Sequence, residues 1–261
     1  VFAARARAFI ADSDVRERPF ALFLWFPSPH VKEVPASRHA DLFPRLRAPR
    51  LVSFPELDMS DKPPFMRVPP LSSARVEEID ERYRNRVRML QSIDEALASI
   101  RDQLQARGLL DNTYIVFTSD NGWHQGEHNQ TPSKGRPHEE DIRVPLIITG
   151  PDVPAGRTIT RLVGNADLAP TFAEWAGARP SAAVDGRSFA RLVSAPDPTR
   201  LAWRKRLPIM RAIEGVALSR DWPDPDRRSV PTPGYECLEH LPPSEQLLPE
   251  WRGVRTERYT F

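Results

Sequence analysis

The sequence predicts a layered α/β fold with a largely parallel central sheet flanked by helices. Three observations carry this prediction: short apolar runs bounded by prolines and turn residues, one long amphipathic helical pattern, and the alternation of the two along the chain. The predicted order is strand, long helix, strand, polar loop, strand and short helix. Ligands of such sheets bind beyond the carboxyl ends of the strands. The polar residues that follow the apolar runs are therefore the first candidates for a site.

The first predicted strand is the apolar run PFALFLWFPSPH, which ends on His30 and which the helix-like phrase VFAARARAFIADS precedes. A short apolar run stopped by prolines is typical of a buried strand. Residues 35 to 72 follow it and are rich in Pro, Arg and Ser with little periodicity. They predict a long ordered loop or lid packed on the surface.

A long helix is predicted from Ser73 onward, with Ser73 as N-cap and Gly108 as C-terminal stop. Apolar residues recur there at spacings of three and four, over about nine turns of 3.6 residues. Arg and Glu interleave on the other face, which favours a solvated surface over a nucleic-acid groove. The periodic apolar residues are Val76, Ile79, Tyr83, Val87, Leu90, Ile93, Leu97, Ile100 and Leu104.

The predicted strands TYIVFTS and VPLIITG flank the polar loop, and a helix around LAPTFAEWAG ends at Gly177. Residues 1 to 180 thus form one α/β unit, whereas frequent Pro and Arg predict that residues 181 to 261 are irregular surface chain leading into a C-terminal strand region. The chain begins within an apolar phrase and ends on WRGVRTERYTF, which is typical of a strand that is cut. We therefore expect a fragment whose sheet is incomplete at the N-terminus.

Composition excludes several classes of protein. Of 261 residues, 28% are charged and 40% hydrophobic, which is ordinary for a folded globular chain. The 37 Lys and Arg nearly balance the 35 Asp and Glu, so nothing indicates a nucleic-acid partner. The apolar run of residues 20 to 26 is too short to span a bilayer. Cys237 is the one cysteine, which leaves no disulfide framework and favours a free thiol in a loop.

The candidate site is the stretch IVFTSDNGWHQGEH at residues 115 to 128. Asp120 and Asn121 offer adjacent oxygen ligands, one anionic and one neutral, of the kind that calcium and magnesium prefer. Calcium takes about six to eight oxygens, so further carboxylates are required. Asp, Asn and Gly are also turn formers. The residues alone leave a cation site and a simple turn equally open.

Two further residues are candidates for contact with an anionic substrate. Lys134 lies in the loop TPSKGRPHEEDIRVP, and beside a cation it would stabilise charge on a sulfuryl or phosphoryl group. A solvated surface lysine is the alternative. His30, at the end of the first strand, is a candidate proton donor or anion ligand, and a structural histidine is the alternative there.

Taken together, TYIVFTSDNGWHQGEH, EEDIRVPLIITGP and NADLAPTFAEWAG resemble the second half of the sulfatase family, in the branch of N-acetylglucosamine-6-sulfatases and bacterial arylsulfatases. FLWFPSPH, VDGRSF and GVRTERYTF resemble other landmarks of that family. The resemblance covers most of the chain from about Pro19 to Phe261. It implies an alkaline phosphatase-like fold, with residues 1 to 180 as the C-terminal part of the catalytic domain.

The resemblance also implies roles for individual residues. Asp120 and Asn121 match the family's calcium ligands. Lys134 matches its sulfate-binding lysine, and His30 its histidine at the sulfate ester, which makes these two the expected catalytic residues. His124 matches a frequent position of the branch and is the candidate contact to substrate.

Some residues depart from the family pattern. Ser133, Arg136 and His138 stand where the family usually has glycine, threonine and tyrosine, so the geometry of this loop is expected to differ. The formylglycine nucleophile of the family arises from a Cys or Ser in a C-x-P-x-R type motif, which this sequence does not contain. The resemblance places that motif in an N-terminal part, and we expect this chain alone to be inactive.

The sequence leaves three functions open. The first is the C-terminal portion of a calcium-dependent sulfatase that acts on a sulfated small molecule or carbohydrate. The second keeps the fold and acts on phosphate or phosphonate esters, as phosphodiesterases and phosphonate monoester hydrolases do. The third is a non-catalytic remnant with exposed sheet edges. Family resemblance favours an extracellular, periplasmic or lysosomal location.

Overall fold

The computed structural model describes residues 1–12, 18–30, 32–62, 66–179, 183–211 and 251–260. Its α-helices there are α1 (Phe2–Ala11), α2 (Ser73–Ala106), α3 (Glu139–Ile142), α4 (Leu168–Trp175) and α5 (Ala190–Ser194). The strands are β1 (Ile115–Thr118), β2 (Leu146–Thr149), β3 (Arg206–Arg211) and β4 (Trp251–Thr256). Short 3-10 turns lie at Ser37–His39, Leu110–Asn112, Glu127–Asn129, Asn165–Asp167 and Pro198–Arg200. Among the described residues, no helix combines the length and the apolar character needed to cross a membrane.

Helix α2 confirms the periodicity of the sequence over 34 residues. Its N-cap is Ser72, one residue before the predicted Ser73, and the Ser72 hydroxyl accepts a hydrogen bond of 3.3 Å from the Arg75 amide. Gly108 ends the helix as predicted, with φ of +68°, a left-handed conformation that suits glycine. The buried apolar residues of α2 are Ile79, Met89, Ile93, Ala96, Ile100 and Leu104.

The polar face of α2 is only partly solvated, and here the prediction from sequence is wrong for two residues. Asp80 and Arg86 are 7% and 8% exposed. The reason is that the segment 32–50 runs along this face. Arg84 and Arg88 donate hydrogen bonds to backbone carbonyl groups of the segment at 3.1 and 2.7 Å, and Arg50 forms an ion pair with Asp80 at 2.8 Å. This part of the predicted surface loop of residues 35 to 72 is therefore packed against α2.

The first apolar run has extended character but joins no strand ladder among the described residues. Phe20, Leu22 and Leu24 pack against a core cluster that α1 and α2 share through Ala6, Ile10, Ile100 and Leu104. The alternate residues Phe23 and Trp25 are 57% and 76% exposed. The run is therefore buried on one face, whereas the sequence predicted a strand buried throughout.

Both strand pairs of the described residues are antiparallel. In the first pair Ile115 of β1 faces Thr149 of β2, and Thr118 faces Leu146. The loop of residues 119–145 therefore leaves β1 and enters β2 at the same edge. In the second pair Arg206 of β3 faces Thr256 of β4. The predicted strands TYIVFTS and VPLIITG are confirmed, and the largely parallel central sheet stays a prediction.

The chain beyond residue 182 packs on the strands that precede it. Phe189, Leu192 and Val193 form a core cluster with Leu146 and Ile148 of β2. Asp167, fully buried, forms an ion pair of 2.7 Å with Arg204. The predicted division of the chain at residue 180 stays a prediction. Cys237 lies outside the described residues.

Candidate functional site

The loop after β1 presents Asp120 and Asn121 two and three residues beyond the strand end. The Ser119 hydroxyl donates a hydrogen bond of 2.8 Å to the Asn121 carbonyl oxygen. From across the cleft, the Asn165 side-chain amide donates one of 3.1 Å to the Asp120 carbonyl oxygen. These bonds fix the backbone, and the carboxylate of Asp120 stays exposed. A rigid backbone with a solvent-facing carboxylate is suited to holding a cation.

Lys134, farther along the same loop, lies next to Asn121. Its ammonium group donates a hydrogen bond of 2.9 Å to the side-chain oxygen of Asn121. The predicted anion-binding residue and one of the predicted metal ligands are thus in direct contact, although 13 positions separate them. The contact places a positive charge at the side chain next in sequence to Asp120.

His30 reaches this region from the other side. It lies exposed on the turn after the first apolar run, and its amide donates a hydrogen bond of 2.9 Å to the Pro27 carbonyl oxygen. His30, Asp120, Asn121 and Lys134 all line one open cleft of about 2590 Å³. The structure therefore brings four of the five predicted site residues to one cavity.

His124, the fifth predicted residue, points into the protein and is 2% exposed. Its Nδ1 lies 2.8 Å from an Asp141 carboxylate oxygen, and its Nε2 lies 2.7 Å from the Thr131 carbonyl oxygen. Both ring nitrogens therefore lie within hydrogen-bonding distance of oxygen atoms of the same loop. In this structure the ring links Thr131 and Asp141 within the loop of residues 119–145. The role of His124 as a substrate contact stays a prediction.

Asp141 is a residue that sequence reasoning missed. Besides His124, it accepts a hydrogen bond of 2.7 Å from the Arg136 amide, and its own carbonyl oxygen accepts one of 2.8 Å from Gly122. Its side chain is 1% exposed. It lies in EEDIRVP, where adjacent carboxylates give no signal of which one is buried. The predicted pair Asp120 and Asn121 depends on Asp141 for the path of the backbone that follows.

Trp251 of β4 is a second residue that sequence reasoning missed. Its indole N–H donates a hydrogen bond of 2.9 Å to the carbonyl oxygen of Gly135, next to Lys134. Gly135 has φ of +95°, a conformation that few other residues adopt. Arg255, also on β4, forms an ion pair of 2.5 Å with Glu139, which lies four residues after Gly135. The C-terminal strand therefore supports the loop that carries Lys134.

A cluster of charged and aromatic groups fastens the segment 51–62 to the same loop. His128 Nδ1 lies 2.6 Å from one oxygen of Glu56, and Lys62 lies 2.7 Å from the other. Burial alone raises the pKa of Glu56, but the bonds to Lys62 and His128 outweigh it and leave that pKa below its usual value. The His138 ring lies against the His128 ring, with 4.4 Å between the ring centres and 31° between the ring planes, and burial lowers the pKa of His138 to about 4.

The donor types of the cleft fit a hard cation. Asp120 and Asn121 supply one carboxylate and one amide oxygen, and neither sulfur nor imidazole is part of the set. Within the ranges that the structure describes, no group of three or more His, Cys, Asp or Glu side chains is arranged to hold a metal ion. Calcium takes about six to eight oxygen ligands. The two residues thus fit part of a calcium site, and a complete site would require further oxygen ligands.

Comparison with known proteins identifies a family for this chain. The family model described as "Sulfatase" matches residues 1–178. The chain is 34% identical over 193 residues to the extracellular sulfatase SULF-1 homolog of Drosophila melanogaster, covering 71% of this chain and 17% of that protein. It is 30% identical over 230 residues to N-acetylglucosamine-6-sulfatase of Bos taurus, covering 87% of this chain and 40% of that protein. The chain therefore spans less than half the length of these curated relatives.

Solved structures show a similar fold. One of them is a protein in complex with its substrate D-glucosamine-2-N,6-O-disulfate. It superposes on this chain with a TM-score of 0.73 at 21% sequence identity, and the match covers 99% of this chain and 59% of that protein chain. A phosphonate monoester hydrolase from Silicibacter pomeroyi gives 0.66 over 100% of this chain and 51% of its own, at 20% identity. The fold is the alkaline phosphatase-like fold of these enzymes. Because the family model matches residues 1–178, more than half of this chain, the chain belongs to the sulfatase family.

Proposed function

We propose that the complete protein hydrolyses a sulfate ester and that the cleft holds the sulfuryl group between a divalent cation and Lys134. The observation that carries the proposal is the 2.9 Å contact between Lys134 and Asn121 in the cleft that His30 and Asp120 also line. Family membership supports it independently.

Each residue has a distinct part in the proposed chemistry. Lys134 donates hydrogen bonds to the sulfuryl oxygens and stabilises the charge on them as the ester bond breaks. His30, exposed in the cleft, donates a hydrogen bond or a proton to the ester oxygen that leaves. Asp120 and Asn121 would provide two ligands of a calcium ion, and that ion, when bound, would supply Lewis-acid stabilisation of the sulfuryl group. The remaining ligands and the formylglycine nucleophile come from other parts of the complete polypeptide.

A sulfated carbohydrate is the proposed class of substrate. Two comparisons support it: one relative is named for N-acetylglucosamine-6-sulfate, and one superposed structure contains a disulfated glucosamine as its substrate. The name of the Drosophila relative supports an extracellular location for this protein as well.

A phosphate or phosphonate ester is the second candidate substrate. The observation in its favour is the superposition on the phosphonate monoester hydrolase over the whole chain. A cation and a lysine bind a phosphoryl group by the same contacts that bind a sulfuryl group. Geometry within the described residues therefore does not separate the two reactions, and a direct assay is required.

The experiment that separates the two compares an aryl sulfate, the matched aryl phosphate and the matched aryl phosphonate with the protein expressed from its complete reading frame. We expect the highest kcat/KM on the sulfate. A higher kcat/KM on the phosphate or the phosphonate would replace the first proposal by the second. Turnover of none of the three, by a protein that melts cooperatively, would favour the non-catalytic remnant.

A further inference from the structure

Arg86 of α2 contacts both chain segments that carry the candidate catalytic residues. Its guanidinium donates hydrogen bonds of 3.2 and 3.0 Å to a carboxylate oxygen of Glu33, three residues after His30. The same guanidinium lies over the ring of Trp123, 3.8 Å from its centre, two residues after Asn121. One side chain thus joins the turn of His30 to the loop of Asn121.

The contact is buried and ionic, which makes it specific. The side chains of Arg86 and Glu33 are 10% and 11% exposed. Burial lowers the pKa of Arg86, and the charge of Glu33 opposes that effect. Burial raises the pKa of Glu33, but the hydrogen bond and charge of Arg82, with the charge of Arg86, hold it below its usual value. Removing Glu33 would leave the buried Arg86 guanidinium without its ion-pair partner, whereas Glu33 also pairs with Arg82.

The geometry requires arginine in particular. A guanidinium is flat, so it can lie over the Trp123 ring while the N–H groups in its own plane donate to Glu33. A lysine ammonium is a point charge and does not serve both partners in this way. Arg82 also binds Glu33, at 3.0 Å, but its side chain is 28% exposed.

We infer that Arg86 is a positioning residue that sets the spacing between His30 and the pair of Asn121 and Lys134 across the cleft. It acts through Glu33 on one side and Trp123 on the other. The inference rests on the proposed function, because spacing matters when His30 and Lys134 act on the same ester. A displacement of about 1 Å is enough to cost about 100-fold in rate.

The experiment measures sulfate-ester kinetics of Arg86→Lys in the protein from the complete reading frame. We expect kcat to fall about 10- to 100-fold while KM changes little, because alignment in the transition state is lost and ground-state binding is kept. Trp123→Phe, which keeps an aromatic face, is expected to retain most activity, and Trp123→Ala to lose as much as Arg86→Lys. The double variant Arg86→Lys with Trp123→Ala should lose no more than either single one.

Arg88→Lys is the matched control. Arg88 lies on the same helix, and its guanidinium binds the Leu42 carbonyl oxygen away from the cleft. We expect unchanged kinetics in this variant. Equal kcat for Arg86→Lys and the parent, or equal losses in Arg86→Lys and Arg88→Lys, would overturn the inference. If Arg86→Lys does not fold, Trp123→Ala tests the same contact without leaving a buried charge unpaired.

A structural measurement separates this inference from the proposed function. Crystal structures of the parent and of Arg86→Lys give the distance from the His30 ring to the Asn121 side chain directly. We expect that distance to change by about 1 Å. An unchanged distance would overturn the positioning role whether or not the parent is active, whereas a parent without activity on sulfate esters contradicts the proposed function alone.

Discussion

The two histidines His30 and His124 differ in what surrounds them. His30 is exposed at the cleft, whereas His124 is buried with both ring nitrogens bonded within the loop. The same contrast holds for Asp120, with an exposed carboxylate, and Asp141, with a buried one. Within the loop of residues 119–145, the contrast between Asp120 and Asp141 shows that the loop has two faces. One face is available for chemistry, and the other holds the first in position.

The largest expected effect is on the buried face. Asp141→Ala leaves His124 Nδ1 and the Arg136 amide without their shared acceptor, and each polar group left unsatisfied on burial costs about 1–3 kcal/mol. Urea unfolding measures the free energy of unfolding. Asp111→Ala, at an exposed aspartate, is the control and should change that free energy by less than about 0.5 kcal/mol. Similar stabilities of the two variants would remove the distinction between the two faces.

The next effect is on the exposed face. Lys134→Ala should lower kcat/KM for the sulfate ester about 100- to 1000-fold, the usual loss for one donor to developing charge. The free energy of unfolding should change little, because Lys134 is only half-buried. Lys205→Ala, at an exposed lysine away from the cleft, should leave both quantities unchanged. A loss of stability without a loss of rate in Lys134→Ala would assign Lys134 to the buried, structural face.

A smaller effect concerns pH. Burial lowers the pKa of His138 from 6.5 to about 4, so in that window the unfolded chain takes up a proton that the folded chain does not. The contribution of His138 to the free energy of unfolding therefore falls as the pH falls from 6.5 toward 4. His138→Phe removes this titration. Urea midpoints measured across the window should depend less on pH in the variant, and an equal dependence would contradict the assignment.

The smallest effect separates the two tryptophan hydrogen bonds. Trp251→Phe removes a bond to Gly135 beside Lys134, and Trp203→Phe removes one to the Leu162 carbonyl oxygen, 2.6 Å long and distant from Lys134 in the chain. Each should lower the free energy of unfolding by about 1 kcal/mol. Only Trp251→Phe should also lower kcat/KM. Equal rates in the two variants would show that β4 does not position Lys134.

Local patterns in the sequence predicted the local elements. Spacings of three and four placed α2, and apolar runs placed β1 and β2, because these signals arise from residues close in sequence. The antiparallel pairing of β1 with β2 was not predicted, because it depends on the path of the 27 residues 119–145. Burial of Arg86 was missed for a similar reason. Helical periodicity placed it on a polar face, and Glu33 and Trp123, which are distant in sequence, cover it there.

The candidate site was predicted through resemblance more than through physics. Asp120, Asn121 and Lys134 are ordinary loop residues when taken one at a time, and a turn explains the first two as well as a cation does. The contact between Lys134 and Asn121 joins them into one site. The positions of Asp141, Trp251 and Arg86 follow from contacts over 17 or more residues, for which the sequence carries no local signal.

The most direct test of the central claim is the rate of aryl sulfate hydrolysis before chelation, after chelation of divalent cations, and after calcium is added back. Asp120, Asn121 and Lys134 are proposed to hold a cation and a sulfuryl group at one point. This arrangement predicts that chelation abolishes turnover, that calcium restores it in the parent, and that Lys134→Ala stays slow with calcium present. Turnover that withstands both chelation and Lys134→Ala would contradict the account.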